Sequence, residues 1–229
     1  MSIARESILA AVCLALTVIV TCSLNATAAE TPAKQPAAEK SLLHLLDAPL
    51  LFVKRHAYMA GHIYDEYITW RPGGGIYVIE NPADPPERRR IRAVIDPDTK
   101  ETLGPGVYRD PEISWDGKRV LFAFKGEQHG HTRIYEIGVG SEGNSGTGLR
   151  QLTDPECDCQ QPPQEIRTGK GHHDVTPCYL PDGRIVFTST RARALVPCFN
   201  SGVDTLHVMN ADGSNIHSIS VNNVNEFDP

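Results

Sequence analysis

The stretch Asp174–Val221 decides the fold. It reads DVTPCYLPDGRIVFTSTR over residues 174–191 and, after a loop, DTLHVMNADGSNIHSISV over residues 204–221. Four short runs have the β-branched and apolar content of strands, namely Val175–Tyr179, Arg184–Ser189, Thr205–Met209 and Ile216–Val221. Asp-Gly pairs lie between the first two runs and between the last two, and such pairs favour tight turns. The stretch therefore predicts a four-stranded antiparallel sheet.

The same unit occurs earlier in the chain, over Asp110–Thr153. The two copies are in register, because Asp116 and Asp182 are 66 positions apart and so are Pro111 and Pro177. Single elements recur as well: Ile76–Ile79 matches Ile134–Ile137, and Asp228-Pro229 matches Asp110-Pro111. A lone unit of this size leaves both faces exposed, so the copies are expected to pack against each other. We predict an all-β fold, a partial β-propeller over residues 49–229 with about two to three four-stranded antiparallel blades, the clear ones at 110–153 and 174–222.

The repeated motif resembles that of TolB-like β-propellers. The shared features are a proline, an Asp-Gly turn, a β-run and a later hairpin, here VMNADGSN at 208–215. Three runs, FVKRHAYMAGHIYDEYITWRPGGGIYVIENP, YRDPEISWDGKRVLFAFKG and HHDVTPCYLPDGRIVFTSTR, resemble the propeller region of exported, planctomycete-type proteins similar to the hydrazine synthase alpha subunit. The resemblance implies c-type haem only in a region after the propeller, outside this chain. It also implies a protein partner or further domains, since so few blades leave open edges.

The N-terminus has the pattern of a secretory signal peptide. Arg5 precedes an apolar run at Ile8–Val20, and Ala26 and Ala28 stand at positions −3 and −1 of a cut after Ala28. The run is shorter than the roughly 20 residues that a membrane-spanning helix needs. We therefore predict a signal helix within residues 1–28, a linker and short helix at 29–48, and a periplasmic or secreted protein without a membrane span after cleavage.

A candidate metal site lies in the long connection Pro155–His173. Cys157, Cys159, His172 and His173 offer two sulfurs and two imidazoles, the donors that zinc prefers, although Cys-x-Cys is tighter than the usual spacing. A disulfide is the competing interpretation, because disulfides persist in exported proteins. The sequence does not select a pairing among the cysteines that remain after cleavage.

The net charge and the absence of two sequence motifs limit the classes of function that the chain can have. The formal net charge of −6 argues against a nucleic-acid surface, which would be basic. The chain has neither a Cys-x-x-Cys-His haem attachment site nor a Gly-x-Ser-x-Gly nucleophile elbow. No catalytic residue is predicted, and the chain alone is expected to be a scaffold or binding module. The alternative is a subunit of a periplasmic haem or metal oxidoreductase whose propeller face supplies ligands.

Overall fold

The computed structural model describes residues 46–57, 70–153, 172–192, 194–197, 202–226 and 228–229, all within one compact unit, Leu42–Pro229. These residues form strands and two single-turn 3-10 segments, Pro86–Arg88 and Thr190–Ala192, without an α-helix among them. None of their helical segments has the length and apolarity to cross a membrane. The all-β prediction is confirmed, whereas the predicted signal peptide at 1–28 and most of the predicted linker and short helix at 29–48 lie outside the described residues.

The strands form three antiparallel sheets, each a meander of consecutive strands. The first sheet contains β1 (Leu50–Lys54), β2 (Gly75–Ile79) and β3 (Ile91–Ile95). The second contains β4 (Val107–Ile113), β5 (Arg119–Lys125), β6 (Arg133–Gly138) and β7 (Arg150–Gln151). The third contains β8 (Asp174–Tyr179), β9 (Ile185–Ser189), β10 (Thr205–Met209) and β11 (His217–Ser218).

The predicted Asp-Gly turns join the first two strands of the second and third sheets. Gly117 and Gly183 have φ values of 69° and 88°, which glycine adopts without steric cost. Their N–H groups close the turns by donating to the carbonyls of Ser114 and Leu180, at 2.8 and 2.9 Å. The local sequence thus fixes the hairpins independently of the packing around them.

Alternate side chains of β5 face opposite neighbours, and this alternation stacks the sheets. Phe122 packs with the first sheet, whereas the adjacent Leu121 packs with the third, and both are fully buried. One interface comprises Ile76, Val78, Val94, Ile95, Tyr108, Val120, Phe122, Phe124 and Ile137, and the other comprises Leu121, Ile134, Leu152, Tyr179, Ile185, Phe187 and Met209. Sheets stacked face to face, with β4 beside β8, are successive blades of a β-propeller.

Three details differ from the predictions. No strand is predicted at Ile91–Ile95, yet these residues form β3. β11 covers only His217–Ser218 of the predicted run Ile216–Val221, and Val221 is 97% exposed with nothing packed on it. Residues 46–48, the described end of the predicted short helix, are not helical, since Pro49 and then β1 follow directly.

Truncating a side chain between the second and third sheets should be costly. We expect Phe187→Ala to lower the free energy of unfolding by about 3–5 kcal/mol, because the ring is fully buried and its removal leaves a cavity. Val221→Ala, at an exposed position, is the control and should change it by less than about 0.5 kcal/mol. Equal urea midpoints for Phe187→Ala and the unmodified chain would contradict the stacking.

Candidate functional site

β4 and β8 are the first strands of their blades, and we call them the inner strands. Both contain the same β-bulge. The pairing of β4 with β5 shifts between Arg109 and Glu112, and that of β8 with β9 shifts between Val175 and Cys178. A β-bulge bends its strand and redirects side chains. In these blades it therefore interrupts the inner strand at the repeated X-Pro dipeptide.

Each bulge has an unusual backbone conformation before a proline. Asp110 and Thr176 have φ values of 51° and 48°, and Asp228, before Pro229, has 49°. A positive φ is uncommon for residues other than glycine, and a following proline restricts the backbone further. Since the conformation recurs at all three of these positions, it is a feature of the repeated X-Pro dipeptide.

The bulges converge on one cavity, which we call the bulge cavity. Its volume is about 230 Å³. The lining residues are Asp110, Pro111, Glu112, Thr176, Pro177, Cys178, Asp228 and Pro229. Three carboxylates and a thiol thus reach a space that the inner strands of successive blades share.

Hydrogen bonds across the blades hold the cavity wall. The backbone N–H of Thr176 donates to Oδ2 of Asp110 at 3.3 Å, and Nε of Arg109 donates to the same oxygen at 2.7 Å. The Oγ1 atoms of Thr176 and Thr188 are 2.7 Å apart, in a hydrogen bond within the third sheet. Asp110 therefore links neighbouring blades as well as lining the cavity.

The cavity is suited to binding and shows no activated nucleophile. Burial raises the pKa of Glu112. Burial, followed by the charge of Glu112, raises the pKa of the Cys178 thiol, which is not in a disulfide. A thiol with a raised pKa stays protonated at neutral pH and is a poor nucleophile. Among the described lining residues, none is a histidine or lysine that would activate it.

The structure places two of the four predicted metal ligands. The side chains of His172 and His173 are buried, but they have different partners. Nε2 of His172 lies 3.3 Å from Oδ2 of Asp174, whereas Nδ1 of His173 accepts a hydrogen bond from the backbone N–H of Thr132 at 3.2 Å. Cys157 and Cys159 lie outside the described residues. The zinc site and the competing disulfide both stay predictions, and the described residues alone hold no group of three or more metal-ligating side chains.

Asp174 is the centre of a buried polar network, defined here as His172, Asp174, Ser189 and Arg191. Its carboxylate accepts from Ser189 Oγ at 2.6 Å and from Arg191 Nε and NH2 at 3.2 and 2.9 Å. Burial opposes ionisation, but the hydrogen bond and charge of His172, together with the Arg191 charge, hold the pKa of Asp174 well below its usual range. The network thus keeps a buried carboxylate ionised at the start of β8. Sequence spacing alone gives no signal for it, because its members come from the residues before β8, from β8 and β9, and from the turn after β9.

Comparison with known proteins finds similar solved structures but assigns the chain to no family. No family model matches the chain, and no curated protein matches it. A solved structure of TolB from Agrobacterium tumefaciens is 18% identical with a TM-score of 0.41, covering 75% of this chain and 43% of its own. Kuenenia stuttgartiensis hydrazine synthase is 16% identical with a TM-score of 0.38, covering 76% of this chain and 32% of its own.

Both structures are of the kinds that the sequence motifs resemble. The chain spans less than half the length of either. Superpositions with these TM-scores carry no argument about activity. The sheets of the chain itself form a partial β-propeller, and the function is inferred from its own residues.

Removing the charge of Asp174 should destabilise the fold. We expect Asp174→Asn to cost about 3–5 kcal/mol, because Arg191 and His172 lose the carboxylate that compensates their burial. The folded-state pKa of Asp174 is depressed, so its stabilisation is present above the unfolded pKa of about 3.9 and is lost as the pH falls through the folded value. Urea unfolding measured between pH 7 and pH 2.5 should show that the free energy of unfolding falls less steeply with decreasing pH in Asp174→Asn than in the unmodified chain.

The matched control is Asp98→Asn, because Asp98 is an exposed aspartate in the turn after β3. The free energy of unfolding of this variant, and its decrease between pH 7 and pH 2.5, should equal those of the unmodified chain. If the free energy of unfolding fell equally with decreasing pH in Asp174→Asn and in the unmodified chain, the charge of Asp174 would not stabilise the fold.

Proposed function

We propose that the chain is an exported β-propeller binding module without catalytic activity of its own, the N-terminal part of a protein similar to the hydrazine synthase alpha subunit. The observation that carries the binding role is the bulge cavity, where two inner strands and the Asp228-Pro229 dipeptide bring polar side chains together. Cavities lined by a few convergent polar groups are the usual places for ligands. The absence of an activated nucleophile among the described lining residues favours binding over chemistry.

Export is supported by the N-terminal pattern. We expect the protein recovered from the periplasm of a Gram-negative host to begin at Ala29, because small residues stand at −3 and −1 of a cut after Ala28. Intact-mass spectrometry measures the mature N-terminus. Ala28→Phe places a bulky side chain at −1 and should leave the precursor uncut. A cytoplasmic protein that retains Met1 would overturn the export proposal.

Site-specific photocrosslinking tests the binding role of the cavity. Glu112→p-benzoylphenylalanine places the crosslinker in the bulge cavity, and the same substitution at Glu142, whose side chain is 74% exposed on the β6–β7 connection, is the control. We expect ultraviolet-dependent adducts from position 112 in cells of the source organism and few from position 142. Adducts from both positions alike, or from neither, would contradict a ligand surface at the cavity.

The oxidoreductase alternative predicts a bound metal or haem. One observation favours it: His173 and His131 have ring centroids 5.6 Å apart, so more than one imidazole lies near the end of the candidate connection. For a binding module, elemental analysis of residues 29–229 should give substoichiometric zinc, and the absorbance spectrum should lack a Soret band. Stoichiometric zinc that is lost in Cys157→Ser and His172→Ala would replace the proposal with the alternative.

A further inference from the structure

Thr176 has a backbone conformation that its side chain disfavours. Its φ is 48°, close to the 51° of Asp110 and the 49° of Asp228. Aspartate is enriched several-fold at positive φ, whereas a β-branched residue is an outlier there because its side chain crowds the backbone. The other two copies thus show a residue type that fits the position, and Thr176 departs from it. Outliers of this kind cluster at functional sites.

The link between the blades does not require the side chain of Thr176. The atom that donates to Oδ2 of Asp110, at 3.3 Å, is the backbone nitrogen of Thr176. Every residue except proline has such an N–H group. This bond therefore accounts for the approach of position 176 to the second sheet and gives the hydroxyl no part in it.

The proton of the Thr176 hydroxyl is used within the third sheet. The Oγ1 atoms of Thr176 and Thr188 are 2.7 Å apart, and Thr188 Oγ1 lies 3.3 Å from the carbonyl oxygen of Val175. A carbonyl only accepts, so the single proton of Thr188 goes to Val175 and the proton of Thr176 goes to Thr188. Thr188 is fully buried, whereas Thr176 is half-buried and lines the bulge cavity. Thr176 Oγ1 is therefore a hydrogen-bond acceptor at the cavity wall.

Other polar side chains of the described cavity wall have the same character. Sγ of Cys178 donates its proton to the carbonyl of Tyr179 at 3.7 Å. The side chains of Asp110 and Asp228 only accept when they are ionised. A ligand that matches this wall presents N–H or O–H groups to it.

We propose that Thr176 determines which ligand the bulge cavity binds, because its Oγ1 accepts a hydrogen bond from an N–H or O–H group of the ligand. The inference rests on the binding function proposed above, and it names the residue and the chemical class of the contact. A polar group that loses its partner on binding costs free energy. A ligand without the donor, or a cavity without the hydroxyl, therefore gives weaker binding.

Unfolding in urea tests whether the fold needs the side chain of Thr176. We expect the urea midpoint of Thr176→Asn to be no lower than that of the unmodified chain, because asparagine tolerates a positive φ and this gain offsets the lost bond to Thr188. Thr147→Asn, at an exposed position of the β6–β7 connection, is the control and should leave the midpoint unchanged. A lower midpoint in Thr176→Asn alone would assign the hydroxyl to the fold and overturn the proposal.

Photocrosslinking from position 112 tests the contact with the ligand. Thr176→Val keeps the shape of the side chain and removes the hydroxyl, whereas Thr176→Ser keeps the hydroxyl. Each change is combined with Glu112→p-benzoylphenylalanine in cells of the source organism. We expect Thr176→Val to lower the yield of ultraviolet-dependent adducts about tenfold, and Thr176→Ser to retain most of it. Thr147→Val is the matched control and should retain the full yield.

The outcomes separate this inference from the proposed function. If position 112 gives no adducts in the otherwise unmodified chain, both are overturned. If Thr176→Val gives the same yield as the unmodified chain, the role of Thr176 is overturned and the binding function stands. A captured ligand whose adduct mass spectrum shows neither an N–H nor an O–H group would have the same consequence.

Discussion

The opposite orientation of neighbouring side chains along β5 is the constraint on which the rest of the structure depends. Phe122 and Leu121 are adjacent in sequence, yet each is fully buried in a different interface. A one-residue slip of β5 would exchange the two faces and empty both interfaces. The Asp-Gly turn at Gly117 sets this register, so local turn chemistry and inter-blade packing require the same pairing. Agreement between local and global preferences is what allows a repeated sheet to fold to one structure.

Polar contacts at the ends of the strands reinforce the stacking. Between the second and third sheets, Trp115 Nε1 donates to the carbonyl of Tyr179 at 3.2 Å, and the Tyr179 hydroxyl donates to Glu136 at 2.8 Å. Between the first and second sheets, Arg92 donates to the carbonyl of Val139 at 2.7 Å. Apolar packing is non-directional, whereas hydrogen bonds require a particular geometry. These hydrogen bonds therefore favour one orientation of each blade relative to its neighbour. Trp115, where the other repeat has Pro181, is therefore a contact residue although the residue is 77% exposed.

The sequence was informative where structure is local and less so where it depends on distant residues. The Asp-Gly hairpins and β10 follow from turn residues and strand periodicity, and the repeat predicts the stacking of the blades. No strand is predicted at β3, and only its pairing with β2 shows its role. The zinc prediction grouped His172 with His173 and two cysteines by donor type and stays a prediction. The 3.3 Å approach of His172 Nε2 to Asp174 Oδ2 had no signal in the sequence. The bulge cavity could not be foreseen, because its walls come from repeats 66 residues apart in sequence and from Asp228.

The positive φ before each repeated proline makes the shape of the bulge cavity independent of the side chains that line it. The backbone follows the same path at Asp110, Thr176 and Asp228, although one side chain is a hydroxyl and two are carboxylates. Main-chain geometry therefore sets the contour there, while the residue type at each step is left to vary. A descendant of this chain can change the charge that lines the cavity by single replacements, while the backbone that frames the cavity keeps its course.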